Sequence, residues 1–259
     1  INTANSVQPD VIDSPLNFRA SLNSTTNVVT LTWETPPENL AFPLIGYILS
    51  YVPNNGVPVS PIGTSTLGPL ATSYNITLQN YYLYTFYIVS VNIEGTSFPA
   101  MTSVTTKPNT PRNFAVSMSN TGTASLSWDA PSGTATVSSY TVRYTPSGGA
   151  TTTITGITSL SYTITGLPAG NLFDFSVVAV NSAGESPIPA TASASTVPNP
   201  PVWVSASINS AGTASLSWNA PAGTAALTNY TLNYSSSGGS SGTTTIAGGS
   251  TSTTVSSLS

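Results

Sequence analysis

The stretch from Thr123 to Pro131 reads Thr-Ala-Ser-Leu-Ser-Trp-Asp-Ala-Pro and alternates apolar with small polar residues. In an extended chain, Ala124, Leu126 and Trp128 fall on one face and the serines on the other. This period of two is typical of a β-strand that buries one face. Pro131 has no backbone N–H to donate, so pairing ends there. The stretch therefore predicts a half-buried strand centred on Trp128.

The same strand pattern recurs twice along the chain. Residues 213–221 repeat it almost unchanged around Trp218, and residues 29–36 repeat it more loosely around Trp33. The three tryptophans are spaced by about 90 residues, which is the length of a small domain. A Tyr-x-x-x-Tyr stretch follows each of them, at residues 47–51, 140–144 and 230–234. The chain is therefore predicted to contain three consecutive domains.

The second repeat shows the full strand pattern. It predicts seven short strands separated by turn residues, with no helical periodicity of useful length. Antiparallel sandwiches have this spacing of strands and turns. The predicted strands are residues 111–119, 123–129, 139–145, 151–155, 161–165, 172–181 and 187–196.

Three motifs in this repeat resemble tandem fibronectin type III domains. They are Leu-x-Trp-x-x-Pro, Tyr-x-Val-x-Tyr, and residues 166–170 (Gly-Leu-Pro-Ala-Gly) leading into residues 173–181. The resemblance implies an all-β fold of immunoglobulin-like antiparallel β-sandwiches. It also implies no catalytic apparatus, no cofactor and use as a spacer or adhesion module. The family's corner tyrosine matches Tyr84 in the first repeat, whereas Phe173 stands there in the second.

The repeats give the expected domain limits. We expect an N-terminal arm at residues 1–13 and domains at 14–106, 107–197 and 198–259. The third domain lacks the counterparts of the last two strands of the second. Two explanations are open: the natural chain continues, or a partner chain supplies a donor strand. The short linkers contain proline and predict an extended rod with limited bending.

Composition excludes several function classes. Charged residues make up 5% of the 259 residues, and the formal net charge is −4. The four basic residues are scattered, so nucleic-acid binding is not expected. Without His or Cys, zinc sites and His-dependent triads are excluded. No apolar run approaches the length of a membrane span, so no membrane insertion is expected.

Several aromatic residues are candidates for an interface. Trp33, Trp128 and Trp218 lie on apolar strand faces and are predicted to be core residues. Trp203 stands where the second repeat has Asn113, and we expect it to pack at the junction between repeats two and three. A second candidate is a docking patch formed by Tyr81, Tyr82 and Tyr87 beside Phe98, with ordinary surface tyrosines as the alternative.

Two sequons are the candidate modification sites. Asn23 and Asn75 each begin an Asn-x-Ser/Thr sequence, and Asn23 is expected in a turn between strands. Chance sequons are common in a chain this rich in Asn, Ser and Thr. These positions are therefore hypotheses that depend on glycosylation by the host.

Three function classes remain open. The first is a non-catalytic structural or adhesive rod that contacts other protein chains on an extracellular, cell or virion surface. The second is an accessory segment of a longer secreted carbohydrate-active enzyme, and the third is a receptor-like ligand-binding module. The near-absence of charge and the proline-containing linkers favour the first class. A ligand binder is expected to carry more charged or aromatic anchors in its loops.

Overall fold

The structure is a computed structural model that describes residues 12–37, 42–54, 63–237, 239 and 241–258. Over these residues the secondary structure is entirely strands and turns, and every strand pair is antiparallel. The predicted all-β, immunoglobulin-like class is thus confirmed. None of the described residues forms a helix long and apolar enough to cross a membrane.

The first repeat contains two facing sheets. One sheet has the strand order β1-β2-β5, and the other has β4-β3-β6-β7 with β8 on the free edge of β6. Trp33 and Phe86 both lie in the core between the sheets, at 3% and 0% exposure. The strands are β1 Leu16–Asn23, β2 Val28–Glu34, β3 Gly46–Pro53, β4 Gly63–Leu67, β5 Ser73–Thr77, β6 Leu83–Asn92, β7 Gly95–Thr96 and β8 Ala100–Thr105.

The second repeat has the same topology. Its sheets run β13-β10-β9 and β12-β11-β14-β15, with β16 paired to β14. Trp128 packs edge-on against Tyr140, with ring centroids 5.4 Å apart, inside a core completed by Phe173 and Phe175. The strands are β9 Arg112–Met118, β10 Ala124–Asp129, β11 Ser139–Pro146, β12 Thr152–Ile157, β13 Ser161–Ile164, β14 Leu172–Asn181, β15 Gly184–Glu185 and β16 Ala190–Ser195.

The third repeat contains five strands among the described residues. They form a three-stranded sheet, β17-β18-β21, and a two-stranded sheet, β19-β20. Trp218 and Tyr230 again pack edge-on, at 5.2 Å, but the first strand stays uncovered and Val204 is 63% exposed. The strands are β17 Val202–Ile208, β18 Ala214–Asn219, β19 Asn229–Ser235, β20 Ser241–Ala247 and β21 Ser252–Val255.

The alternation of apolar residues explains why these sequences form sandwiches. Along β10, residues alternate strictly between buried and exposed, so each strand contributes one face to the core. The long strand β14 follows Leu172–Asn181, the bounds predicted from sequence. Burial of each large apolar side chain contributes roughly 1.5–3 kcal/mol, so the buried cluster around Trp128 stabilises the second repeat substantially.

The ends of the predicted domains differ in how far the structure describes them. Residues 1–11 of the predicted N-terminal arm lie outside the described residues. Ile12 is 7% exposed, and the Ser14 hydroxyl donates to the Phe98 carbonyl at 2.7 Å. In the second repeat, the Thr110 hydroxyl donates to the Ile188 carbonyl at 2.8 Å. The segment before the first strand therefore makes the same kind of hydrogen bond in both repeats. The domain limits themselves stay a prediction.

Candidate functional site

The junction between the first two repeats is formed by a turn and a loop. The turn is residues 81–83 before β6, and the loop is residues 133–135 between β10 and β11. The Tyr81 carbonyl accepts the backbone N–H groups of Thr134 and Ala135, at 2.9 and 3.0 Å. The Leu83 N–H donates in return to the Thr134 hydroxyl at 3.2 Å. Three hydrogen bonds therefore connect the two repeats here.

The junction between the second and third repeats contains the same three hydrogen bonds. The Gly170 carbonyl accepts the N–H groups of Thr224 and Ala225, at 2.7 and 2.9 Å. The Leu172 N–H donates to the Thr224 hydroxyl at 2.9 Å. Each linker adds one further contact: Asn109 donates its side-chain amide to the Ser132 hydroxyl at 2.8 Å, and Asn199 donates to a loop carbonyl at 2.9 Å.

Asn181 strengthens the first junction from inside the second repeat. Its side-chain NH₂ donates to the carbonyls of Thr106 and Thr136, at 2.8 and 2.9 Å. Thr106 is fully buried and ends the first repeat. Asn92 is the counterpart of Asn181 in the first repeat, and its buried Nδ2 has no hydrogen-bond partner among the described residues. Among the described residues, this amide thus has two acceptors in the second repeat, one of which the first repeat supplies, and none at the matching position of the first repeat.

Both ends of β14 are engaged by different neighbours. Leu172, at its start, bonds to the third repeat, whereas Asn181, at its end, bonds to the first. Ten strand residues rise about 3.3 Å each, which separates the two contacts by about 30 Å. The second repeat is therefore held between its neighbours in series.

The predicted tyrosine patch is not assembled as one cluster. Tyr82 packs edge-on against Tyr84 at 6.1 Å, at the margin of the first core. Tyr81 contributes its main chain to the junction, and its backbone φ is 82°. Phe98 is 82% exposed but follows Ser97, which bonds to Ser90 near the far end of β6. The prediction of a common patch is corrected for Tyr81 and Tyr82, because they lie at the start of β6 and Phe98 lies near its far end.

Tyr87 lies on the outer face of β6, as its alternation predicts. It is half-buried between Ser50 on β3 and Met101 on β8. Ile48 and Val89 form the adjacent cross-strand pair on the same face. We call Ile48, Tyr87, Val89 and Met101 the outer apolar face of the first repeat.

The second repeat is polar at three of the four matching positions. Arg143 and Ser176 pair there, and Thr191 follows on β16. Arg143 also forms an ion pair with Glu185 at 2.7 Å, with both side chains partly exposed. Thr141, Ser176 and Thr191 thus stand in place of Ile48, Tyr87 and Met101, whereas Val178 matches Val89, so the outer face of the first repeat is the more apolar of the two.

Trp203 does not pack at the second junction, and that prediction is wrong. Its side chain is 84% exposed, because the junction is formed by residues around Gly170 and Thr224 instead. Trp203 sits at a register shift in β17 with a φ of 55°. Asn17 and Asn113 occupy the same left-handed position in the other repeats, where a short polar side chain is better tolerated.

The two candidate glycosylation positions lie at the surface. Asn23 is the last residue of β1, and its Oδ1 accepts the N–H groups of Thr25 and Thr26 in the following turn. Asn75 is exposed in β5, which is an edge strand. Both positions are accessible, and their modification stays a prediction.

A groove opens in the third repeat beside β19. Its volume is about 330 Å³, and Val204, Leu216, Trp218, Tyr230 and Leu232 contribute to its lining. In the second repeat, β14 pairs with the corresponding edge of β11. Among the described strands, β19 pairs only with β20. The open edge therefore offers unpaired backbone groups beside an apolar wall.

Titratable chemistry is sparse across the described part of the chain. No group of three or more acidic, His or Cys side chains there is arranged to hold a metal ion. Burial raises the pKa of the Tyr47, Tyr84 and Tyr140 phenols, and Tyr84 also donates to the Gln79 carbonyl at 3.2 Å. That bond is the corner contact expected from the sequence. These shifts come from core packing rather than from a charged site.

Comparison with known proteins agrees with this geometry. The model of the fibronectin type III domain matches residues 13–107 and 109–196. The chain belongs to the fibronectin type III family. Its third repeat continues the same strand pattern beyond the matched residues.

The relatives place these repeats in very different proteins. The chain is 32% identical over 181 residues to chitinase A1 of Niallia circulans, covering 66% of this chain and 24% of that protein. It is 31% identical over 209 residues to the human receptor-type tyrosine-protein phosphatase H, covering 77% of this chain and 17% of that protein. The chain thus spans a quarter or less of these relatives. Among solved structures, the chicken CNTN1 FN1–FN3 domains match with 20% sequence identity and a TM-score of 0.40. The match covers 95% of this chain and 89% of the CNTN1 chain.

Sequence reasoning missed the residues that form the junctions. Residues 132–135 read Ser-Gly-Thr-Ala and residues 222–225 read Ala-Gly-Thr-Ala, at the same place in both repeats. This repetition was available as a signal. The sequence of the partner turn gave no such signal, because the turn contributes a main-chain carbonyl that every residue type carries.

Proposed function

We propose that this chain is a non-catalytic structural or adhesive rod of an extracellular or virion-surface assembly. In this role it spaces other protein chains and contacts them. The observation that carries the proposal is the attachment of the second repeat at both ends of β14, to the first repeat and to the third. Repeats joined in this way hold their outer partners at a set separation.

The outer apolar face of the first repeat is the proposed adhesive surface. Met101 is 59% exposed beside the half-buried Tyr87, and aromatic residues and methionine are enriched at protein interfaces. The surrounding surface is built from Ser, Thr and Asn and carries few charges. Such a surface loses little hydration energy when it packs against another protein.

The groove of the third repeat is proposed as a second contact. An extended donor strand could pair with the open edge of β19 and place alternate apolar side chains against Trp218 and Leu232. Strand addition of this kind supplies main-chain hydrogen bonds and apolar burial together. The donor would belong to another protein chain or to a further part of the same chain.

Labelling of the intact source tests the proposed location. Antibodies raised against the chain should label unpermeabilised cells or intact particles. A signal that appears only after permeabilisation would contradict an extracellular or virion-surface role.

Site-specific photo-crosslinking tests the proposed contact. A benzophenone amino acid in place of Tyr87 should crosslink a neighbouring protein on the intact surface. The same probe in place of Ser176, the matching position of the second repeat, should give no product. Equal crosslinking from both positions would contradict the assignment of the outer apolar face.

An accessory role in a carbohydrate-active enzyme is the second candidate, because chitinase A1 is among the relatives. In that case the chain would space a catalytic domain from other modules rather than bind a surface protein. Co-sedimentation with insoluble chitin, together with a search for turnover by the chain, separates the two. Retention on chitin would favour the accessory role, and turnover would contradict both.

A further inference from the structure

We infer that the loops at residues 133–135 and 223–225 form a recognition surface for another type III repeat, which they bind through its main chain. The partner is the turn before the sixth strand of that repeat, residues 81–83 or 170–172. This inference goes beyond the proposed function, since it concerns how repeats select and orient one another.

The two junctions agree although their turns differ in sequence. One turn reads Tyr-Tyr-Leu and the other Gly-Asn-Leu, yet each offers one carbonyl to two N–H groups and one N–H to a hydroxyl. Only backbone atoms of the turn take part. The turn is therefore recognised by its conformation rather than by its side chains.

That conformation is left-handed in both turns. Tyr81 has a φ of 82° and Gly170 a φ of 77°. Glycine adopts this region readily, whereas a bulky residue does so at a cost of roughly 1–2 kcal/mol. A tyrosine is held there while its carbonyl accepts two hydrogen bonds from the next repeat. The left-handed turn is thus the feature that the loop recognises.

Glycine is required on the loop side for a different reason. Gly133 and Gly223 have φ values of +99° and +133°. A Cβ built on either one would overlap the carbonyl oxygen of Tyr81 or Gly170. The threonine that follows supplies both an N–H and a hydroxyl acceptor. The Gly-Thr pair is therefore the part of the loop that binds the turn.

Distance measurements between spin labels test this inference in the full chain. The protein has no cysteine, so labels at Thr32→Cys and Ser127→Cys report the first junction alone. These two sites are exposed and lie at matching places in β2 and β10. The unmodified junction should give one narrow distance distribution.

Three substitutions separate the parts of the inference. Gly133→Ala should broaden the distribution by about twofold or more, since the added Cβ overlaps the Tyr81 carbonyl and prevents the loop from docking on the turn. Thr134→Val removes the hydroxyl acceptor without adding bulk and should also broaden it. Tyr81→Gly should leave it narrow, because Gly170 already serves at the second junction.

A matched control guards against loss of folding. Gly148 also has a positive φ, of +76°, but no atom lies within 4 Å of an added Cβ, and it is far from the junction loop in the same repeat. Gly148→Ala should keep the narrow distribution. A broad distribution in the unmodified chain, or equal widths for Gly133→Ala, Thr134→Val and Gly148→Ala, would overturn the inference. A flexible junction of that kind would remove the fixed spacing in the proposed function, whereas the contact proposed for the outer apolar face of the first repeat would still be tested separately by crosslinking from Tyr87.

Discussion

Replacement of Asn181 by alanine tests the first junction through the stability of the second repeat. The substitution removes two hydrogen bonds from Nδ2, to Thr106 and Thr136, and one that Oδ1 accepts from the Ala183 N–H at 2.8 Å. Each hydrogen bond contributes about 1 kcal/mol net. The Thr106 carbonyl keeps the Thr105 hydroxyl as a donor at 3.4 Å, so we expect Asn181→Ala to lower the free energy of unfolding by about 3 kcal/mol, the sum of the three lost hydrogen bonds.

Asn92→Ala in the first repeat is the matched control. Asn92 is equally buried, and its Oδ1 accepts the N–H groups of Glu94 and Gly95, both at 3.0 Å. Those groups lie in an exposed turn, where water replaces the lost acceptor. The Nδ2 of Asn92 has no partner to lose among the described residues. We therefore expect a loss of only about 1 kcal/mol.

Hydrogen exchange measured by mass spectrometry resolves the two repeats in the intact chain. Peptides from β6 and β14 report the local free energies of the first and second repeat separately. The loss of protection that Asn181→Ala causes in β14 should exceed the loss that Asn92→Ala causes in β6. The difference of about 2 kcal/mol corresponds to a factor of roughly thirty in exchange rate. Equal losses from the two substitutions would refute the reasoning that Asn181 connects the repeats.

Three further predictions concern the cores. Trp128→Ala should cost about 3–5 kcal/mol, and Trp218→Ala should cost less because the third core is less covered, as chemical unfolding followed by fluorescence will measure. Tyr84→Phe should cost about 1 kcal/mol in thermal unfolding, since it removes the bond to the Gln79 carbonyl. Burial raises the pKa of Tyr84 and Tyr140, so their folded states hold the phenol proton more tightly. The contribution of these two phenols to stability should be constant below pH about 10 and fall above it, and their ionisation, followed by ultraviolet absorption, should occur at higher pH than that of exposed tyrosine.

Strands and core residues followed directly from the sequence. The alternation around Trp128 and the apolar run of β14 each bury one face, so side-chain polarity reports the backbone conformation. The corner contact of Tyr84 was predictable because it depends on a phenol at one position. In these cases the structure is determined by the chemistry of the side chains.

The junctions were less predictable because they depend on the main chain. Tyr81 and Gly170 play the same part with unrelated side chains, so the sequence of the turn gives no signal. The prediction for Trp203 was wrong for a related reason. An aromatic side chain suggested burial, but Trp203 lies at a register shift of β17 with a left-handed backbone, and its side chain is exposed. Its position had to be read from backbone geometry.

Small-angle X-ray scattering of the full chain in dilute solution tests the central claim most directly, that three repeats are held in series. Three sandwiches of about 30 Å each form a rod of roughly 90–100 Å, with a radius of gyration of about 28 Å. A compact chain of 259 residues would give about 18 Å. A value near 28 Å with a rod-like distance distribution is the predicted result, and a value near 18 Å with a globular distribution would contradict the account.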